Sequence, residues 1–124
     1  MVAQITLPWP DRRLSPNARL NWRVKAQAIR QASSIGMILA RDADLSLPVT
    51  GDLILRLKLY PPDKKRRDID NVLASLKAYL DGIFRAAGAD DSQVRQVVIT
   101  WGERLWEAES CVQVEIEEEH ERID

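Results

Sequence analysis

Three aspartates in the second half of the chain have the residue type and spacing of a metal site. Asp68 and Asp70 lie where a helical pattern begins, and Asp91 follows the end of that pattern. Carboxylate oxygens suit Mg²⁺, which keeps several waters and needs few protein ligands. Bound metal ions can activate water for attack on a phosphodiester and stabilise the leaving oxygen. Carboxylates of this kind suit metal-assisted hydrolysis of a phosphate ester.

The same aspartates also have an ordinary structural interpretation. Asp is favoured at a helix N-terminus, and the sequence Asp90-Asp91-Ser92 is typical of a turn. Two residues apart in one helix, side chains point about 200° away from each other. Asp68 and Asp70 can therefore share a metal ion only if Asp68 precedes the first helical turn. The sequence permits that arrangement, and spacing alone leaves both interpretations open.

Basic residues accompany the aspartates and predict contact with a polyanion. They form two groups, which are Lys64, Lys65, Arg66 and Arg67 directly before Asp68, and Arg12, Arg13, Arg19 and Arg23 nearer the N-terminus. A solvated surface loop is the alternative interpretation of such a run. The four tryptophans offer stacking surfaces for unpaired bases, but tryptophan more often belongs to a core or a dimer interface.

The elements that position these residues follow from periodicity. We predict strands over residues 2–7, 51–60, 94–101 and 110–116, helices over residues 22–42 and 70–87, and a loop over residues 104–109. The order β-α-β-α-β-β predicts an α+β fold, a small mixed sheet with both helices packed on it. The predicted apolar face of the first helix consists of Ala28, Ile29, Ala32, Ile35, Met37, Ile38 and Leu39.

Composition favours one domain and excludes several functional classes. The 124 residues, 45% of them hydrophobic, suit a single domain over residues 1–116, followed by an acidic tail over residues 117–124. Without the last ten residues the chain has 17 basic and 13 acidic residues, a mildly basic balance that suits a nucleic-acid binder. We expect no membrane span, and the single cysteine suggests a cytoplasmic location. One histidine argues against a His-rich zinc site, and the missing Gly-rich loop argues against a nucleotide cofactor.

Three segments together resemble the RusA family of Holliday junction resolvases. They are Leu7-Pro8-Trp9-Pro10, Arg67-Asp68-Ile69-Asp70-Asn71 and Asp90-Asp91-Ser92-Gln93-Val94, in the family's order. The resemblance runs from about residue 5 to residue 114. It implies an α+β homodimer that makes paired cuts in four-way DNA junctions during recombination and repair. The implied cofactor is Mg²⁺, with Mn²⁺ as a substitute, and members often come from prophages.

The resemblance also implies roles for particular residues. Asp68, Asp70 and Asp91 match the family's essential carboxylates and metal ligands, with Asp90 as a secondary candidate, and Arg67 would lie against a phosphate. The family has a functional lysine four residues after the second aspartate, where this chain has Ala74.

Lys77 is a possible replacement for that lysine. It lies seven residues after Asp70, only ~20° away around a helix and ~10 Å further along its axis. We therefore hypothesise that Lys77 is a catalytic residue that substitutes in part for the missing lysine. The alternative is a plain surface lysine on a face shared with Asp81. Loss of the family lysine also leaves open a non-catalytic junction-binding protein, and the acidic tail leaves open a protein-interaction module.

Overall fold

The computed structural model describes residues 2–103 and 109–119. The regular elements are strands β1 (Val2–Pro8), β2 (Leu53–Tyr60), β3 (Val94–Trp101) and β4 (Cys111–Glu118), with helices α1 (Trp22–Asp42) and α2 (Ile69–Ala87). Two short 3₁₀ helices, Arg12–Leu14 and Asp91–Gln93, precede α1 and β3. The predicted α+β fold and the order β-α-β-α-β-β are confirmed. Neither of these α-helices is long and apolar enough to cross a membrane.

The sheet is mixed, in the order β1-β4-β2-β3. Strand β4 pairs antiparallel with both β1 and β2, whereas β2 and β3 are parallel. Parallel neighbours need a crossover connection, and α2 supplies it. Helix α2 therefore begins after the end of β2, and the chain enters β3 after the opposite end of α2.

The core lies between the helices and one face of the sheet. Alternate residues of β2, namely Leu53, Leu55, Leu57 and Leu59, are buried as their apolar spacing predicted. They meet the apolar face of α2, where Leu76 and Ile83 are fully buried. On the opposite face of the sheet, Arg56 forms ion pairs with Glu115 and Glu117 of β4.

The prediction for the apolar face of α1 was partly wrong. The buried residues of this helix are Ala28, Ala32, Gly36 and Ala40. By contrast, Ile29, Ile35 and Ile38 are exposed by 44%, 36% and 55%. Small residues are buried because the two helices cross closely: a methyl group on Gly82 of α2 would lie 2.9 Å from the carbonyl carbon of Ser33.

The C-terminal strand is longer than predicted. It continues past Ile116 to Glu118, and the N–H of Glu119 donates to the carbonyl of Asp52 at 2.9 Å. Most of the predicted tail (residues 120–124) and of the predicted loop (residues 104–108) lies outside the described residues.

Candidate active site

Asp68 and Asp70 lie at the start of α2, where the sequence predicts them. Asp68 has an extended backbone and precedes the first helical residue, and its carbonyl accepts the N–H of Val72 at 3.1 Å. The Asp68 carboxylate makes no capping hydrogen bond. Asp70 belongs to the first turn, where its carboxylate accepts the N–H of Asn71 at 3.1 Å. Both aspartates are exposed, so their carboxylates are accessible to a ligand.

Asp90 and Asp91 follow the other end of α2. Gly88 ends the helix with a φ of 83°, a left-handed conformation that favours glycine. Asp90 then has a structural role: its N–H donates to the Gln93 side chain at 2.8 Å, and its carboxylate accepts the Ser92 hydroxyl at 3.0 Å. The Ser92 hydrogen bond lowers the pKa of Asp90. The Asp91 carboxylate takes part in neither of these two hydrogen bonds.

Gln93 anchors the turn that carries Asp91. Its side-chain amide donates to the carbonyls of Pro48 and Gly51 at 3.0 and 3.1 Å. These contacts fix the turn against the connector before β2. The Gln of the Asp-Asp-Ser-Gln-Val segment thus positions the neighbouring acids.

Lys77 contacts Asp91 rather than Asp70. Its ammonium lies 3.7 Å from the Asp91 carboxylate, in an ion pair whose side chains are 71% and 51% exposed. Asp70, Lys77 and Asp91 line one groove of about 410 Å³ between α2 and β3. Ala74 lines the same groove, on the stretch of α2 between Asp70 and Lys77.

Asp81 is a further acid in this groove that was not predicted as a site residue. Burial raises the pKa of Asp81, against the opposing effect of the Lys77 ammonium. A signal was available, because Asp81 follows Asp70 by eleven residues, about three helical turns, and so lies on the same face of α2.

The three predicted metal ligands do not converge within one chain. Asp91 contacts Lys77 and also lines a recess with Asp81 and Arg85. Lys77, Asp81 and Arg85 lie roughly 10–22 Å beyond Asp70 along the axis of α2, at a rise of 1.5 Å per residue. Within residues 2–103 and 109–119, no three acidic, histidine or cysteine side chains are grouped to hold a metal ion. The donor chemistry suits Mg²⁺, but one chain does not build a three-carboxylate centre.

The predicted basic residues separate into distinct environments. Arg12, Lys65, Arg66 and Arg67 line a second cavity of about 430 Å³, which we call the basic cavity, together with Asp68 and Trp9. Four of the predicted basic residues line neither this cavity nor the α2–β3 groove, namely Arg13, Arg19, Arg23 and Lys64. Arg13 pairs with Asp11 at 2.8 Å, and this interaction lowers the pKa of Asp11.

Arg67 is held by its own loop. Its guanidinium donates to the Asp63 carboxylate at 2.7 Å and to the Lys65 carbonyl at 3.1 Å. It also lies 5.3 Å from the centre of the Trp9 ring, at cation–π distance. Arg67 therefore fixes the shape of the basic loop on which Lys65 and Arg66 are exposed.

The tryptophans have different environments. Trp9 is half-buried against the core, whereas Trp22 and Trp101 are 73% and 40% exposed. Trp106 lies outside the described residues. Among the described tryptophans, only Trp9 therefore has the predicted contact with the core.

Comparison with known proteins identifies the family. The model of the family endodeoxyribonuclease RusA matches residues 13–117. An uncharacterized protein of Xylella fastidiosa is 48% identical over 93 residues, 73% of this chain and 61% of that protein. The crossover junction endodeoxyribonuclease RusA of Escherichia coli is 32% identical over 96 residues, 73% of this chain and 74% of that enzyme. The enzyme of the same name from Enterobacteria phage 82 is 31% identical, with the same coverage.

The chain belongs to the RusA family of endodeoxyribonucleases. The resemblance carried by the Arg67–Asn71 and Asp90–Val94 segments is confirmed, and with it the predicted enzyme class. The chain spans about three-fifths of the Xylella protein and about three-quarters of the Escherichia coli enzyme.

Proposed function

We propose that this chain is a Mg²⁺-dependent endonuclease that resolves four-way DNA junctions in recombination and repair, in the cytoplasm. Family membership supports the substrate class, since relatives are named for crossover junctions. The observation that carries the proposal is the position of Asp68 and Asp70. Both are exposed at the start of α2, beside a cavity lined by four bases, of which three are exposed.

Asp68 and Asp70 are the proposed first metal ligands. Mg²⁺ is commonly bound by one or two carboxylates, with waters and substrate phosphate completing its coordination. The cation would supply an activated water and charge stabilisation at the phosphate. The Asp68 carboxylate suits this role because it makes no capping hydrogen bond, although Asp is a common cap.

Asp91 is the proposed third ligand, and it requires a second copy of the chain. Asp70 lies in the first turn of α2, whereas Asp91 follows the end of this helix, and residues 2–103 and 109–119 of one chain contain no group of three such side chains for one ion. A centre that uses all three must therefore combine Asp68 and Asp70 of one chain with Asp91 of another. This requirement supports the proposed homodimer, which also suits a junction with near two-fold symmetry that needs paired cuts.

Lys77 is proposed to hold Asp91 and to offer positive charge to the phosphate as negative charge develops. A preorganised cation aimed at developing charge lowers the activation barrier. Lys77 is suited to this role because its ammonium contacts Asp91 and remains largely exposed.

A second candidate is a protein that binds junctions without cutting them. Ala74 favours it, because an alanine occupies the position of the family lysine. Such a protein would bind a junction with or without Mg²⁺ and would leave both strands intact.

The test is incubation of a labelled synthetic four-way junction with the protein, in Mg²⁺, in Mn²⁺ and in EDTA, beside a linear duplex of the same sequence. The proposal predicts paired nicks in the junction alone, with either cation and not in EDTA. Tight junction binding without nicks would favour the second candidate. Neither binding nor nicking would refute both.

A further inference from the structure

The basic cavity lies directly beside the paired aspartates. It is formed by the segment from Trp9 to Asn17, the loop from Pro62 to Arg67 and the first two turns of α2. Asp68 forms part of its wall, two residues before Asp70. Its volume, about 430 Å³, lies in the range of small-ligand sites. Whatever binds there would adjoin whatever binds at Asp68 and Asp70.

The charge of the basic cavity favours an anion. Two of the acids in its wall, Asp11 and Asp63, are already paired with Arg13 and Arg67 at 2.8 and 2.7 Å. Within the part of the chain that the structure describes, the remaining three bases of the wall form no ion pair; they are Arg12, Lys65 and Arg66. All three are exposed, so a phosphate can reach them without breaking an existing pair.

The loop that carries two of these bases is preorganised. The Asp63 carboxylate accepts both the N–H of Lys65 at 2.9 Å and the guanidinium of Arg67 at 2.7 Å. Arg67 also bonds the Lys65 carbonyl and stacks on Trp9. A loop already fixed in this way loses less conformational entropy when it binds a ligand.

We propose that the basic cavity holds the backbone phosphate next to the scissile one, with Arg12, Lys65 and Arg66 as its partners. This inference rests on the proposed function, because it takes Asp68 and Asp70 as the place of cleavage. It assigns the cavity to one position along the cut strand rather than to general attraction for DNA.

The test combines a charge deletion in the protein with a charge deletion in the DNA. Junctions carry a single neutral methylphosphonate at each position around the exchange point in turn, and affinity is measured in EDTA so that they stay intact. We expect Arg66→Ala to weaken binding of the unmodified junction roughly tenfold. The slope of log affinity against log salt should become shallower by about one.

One methylphosphonate position should then behave differently from the others. At that position, the neutral linkage should weaken binding of the wild-type protein by about the same factor as Arg66→Ala weakens binding of unmodified DNA. The same linkage should weaken binding of the Arg66→Ala variant no further. Arg12→Ala should identify the same position. Arg30→Ala is the control, since Arg30 is exposed on α1 and lines neither cavity. At every position, the neutral linkage should weaken binding of this variant by the same factor as it weakens binding of the wild-type protein.

The inference would be overturned if, at every position, the neutral linkage weakened binding of Arg66→Ala and of Arg12→Ala by the same factor as it weakens binding of the wild-type protein. The proposed function is judged separately, by nicking of the unmodified junction in Mg²⁺. Nicking with independent losses refutes the inference alone. Coupled losses without nicking refute the proposed function and leave a phosphate site beside Asp68 that has no scissile neighbour.

Discussion

Replacing Lys77 with alanine should separate catalysis from stability. The ion pair of Lys77 with Asp91 is 3.7 Å long, and both side chains are more than half exposed. Exposed pairs of this kind contribute about 0.2–1 kcal/mol. Alanine regains a few tenths of a kcal/mol, roughly, through its higher helix propensity. The free energy of unfolding should therefore change by less than about 1 kcal/mol.

Cleavage should fall much further than stability. We expect Lys77→Ala to slow junction nicking at least tenfold, which corresponds to about 1.4 kcal/mol of transition-state stabilisation. A charge-assisted hydrogen bond typically contributes about 1.5–3 kcal/mol, so the loss of one such interaction accounts for this factor. Junction binding should weaken less, because Lys77 is only one of several bases that are proposed to contact the DNA.

Urea denaturation gives the stability change, and single-turnover nicking at saturating protein gives the rate. Arg30→Ala is the matched control, an exposed cation on α1 that lines neither the groove nor the basic cavity. An unchanged nicking rate in Lys77→Ala would refute the reasoning, as would an equal loss in Arg30→Ala.

Four further predictions follow from other parts of the molecule. Ala74→Lys should raise the nicking rate of the wild type and of Lys77→Ala, because position 74 lines the groove one turn after Asp70; a rate unchanged in both backgrounds would contradict this. Mixing Asp70→Asn with Asp91→Asn chains should restore nicking that neither variant shows alone, because mixed dimers contain one intact pair of acids; a mixture as inactive as its components would exclude a site shared between chains. Gly82→Ala should destabilise the fold by about 1–3 kcal/mol in urea denaturation, since the added methyl group meets the Ser33 carbonyl; an unchanged midpoint would show that the helix crossing adapts freely. Arg13→Ala should destabilise the protein more near pH 7 than near pH ~2, because Arg13 lowers the pKa of Asp11, and that stabilisation is lost as pH falls through the lowered value; an equal loss at both pH values would contradict the assignment.

Much of the fold could be predicted because its signals are local. The alternation of Leu53, Leu55, Leu57 and Leu59 fixes the buried face of β2, and prolines and Gly88 mark where elements end. The buried face of α1 could not be predicted in this way. The close approach of the helices at Gly82 buries the alanines of α1 and leaves Ile29 and Ile38 exposed. Hydrophobic periodicity predicts buried isoleucines instead, because isoleucine is more hydrophobic than alanine.

The sequence indicates candidate site residues, but it does not predict their arrangement. Spacing and the family resemblance together indicated Asp68, Asp70 and Asp91, yet α2 separates Asp91 from the other two. Arg67 was expected to lie against a phosphate, whereas its guanidinium binds Asp63 and the Lys65 carbonyl of its own loop. Pairings such as Arg67 with Asp63 and Trp9, or Lys77 with Asp91, depend on how loops meet in three dimensions.

The most direct test of the proposed function compares Asp70→Asn with the wild-type protein at equal occupancy of a four-way junction. Asparagine keeps the size of the side chain and removes its charge, so binding through the basic residues should persist. Single-turnover nicking in Mg²⁺ should fall by at least a hundredfold, roughly the effect of losing one major catalytic interaction. Nicking of the junction by Asp70→Asn at the wild-type rate would contradict the account, because the start of α2 would then not be the place of cleavage.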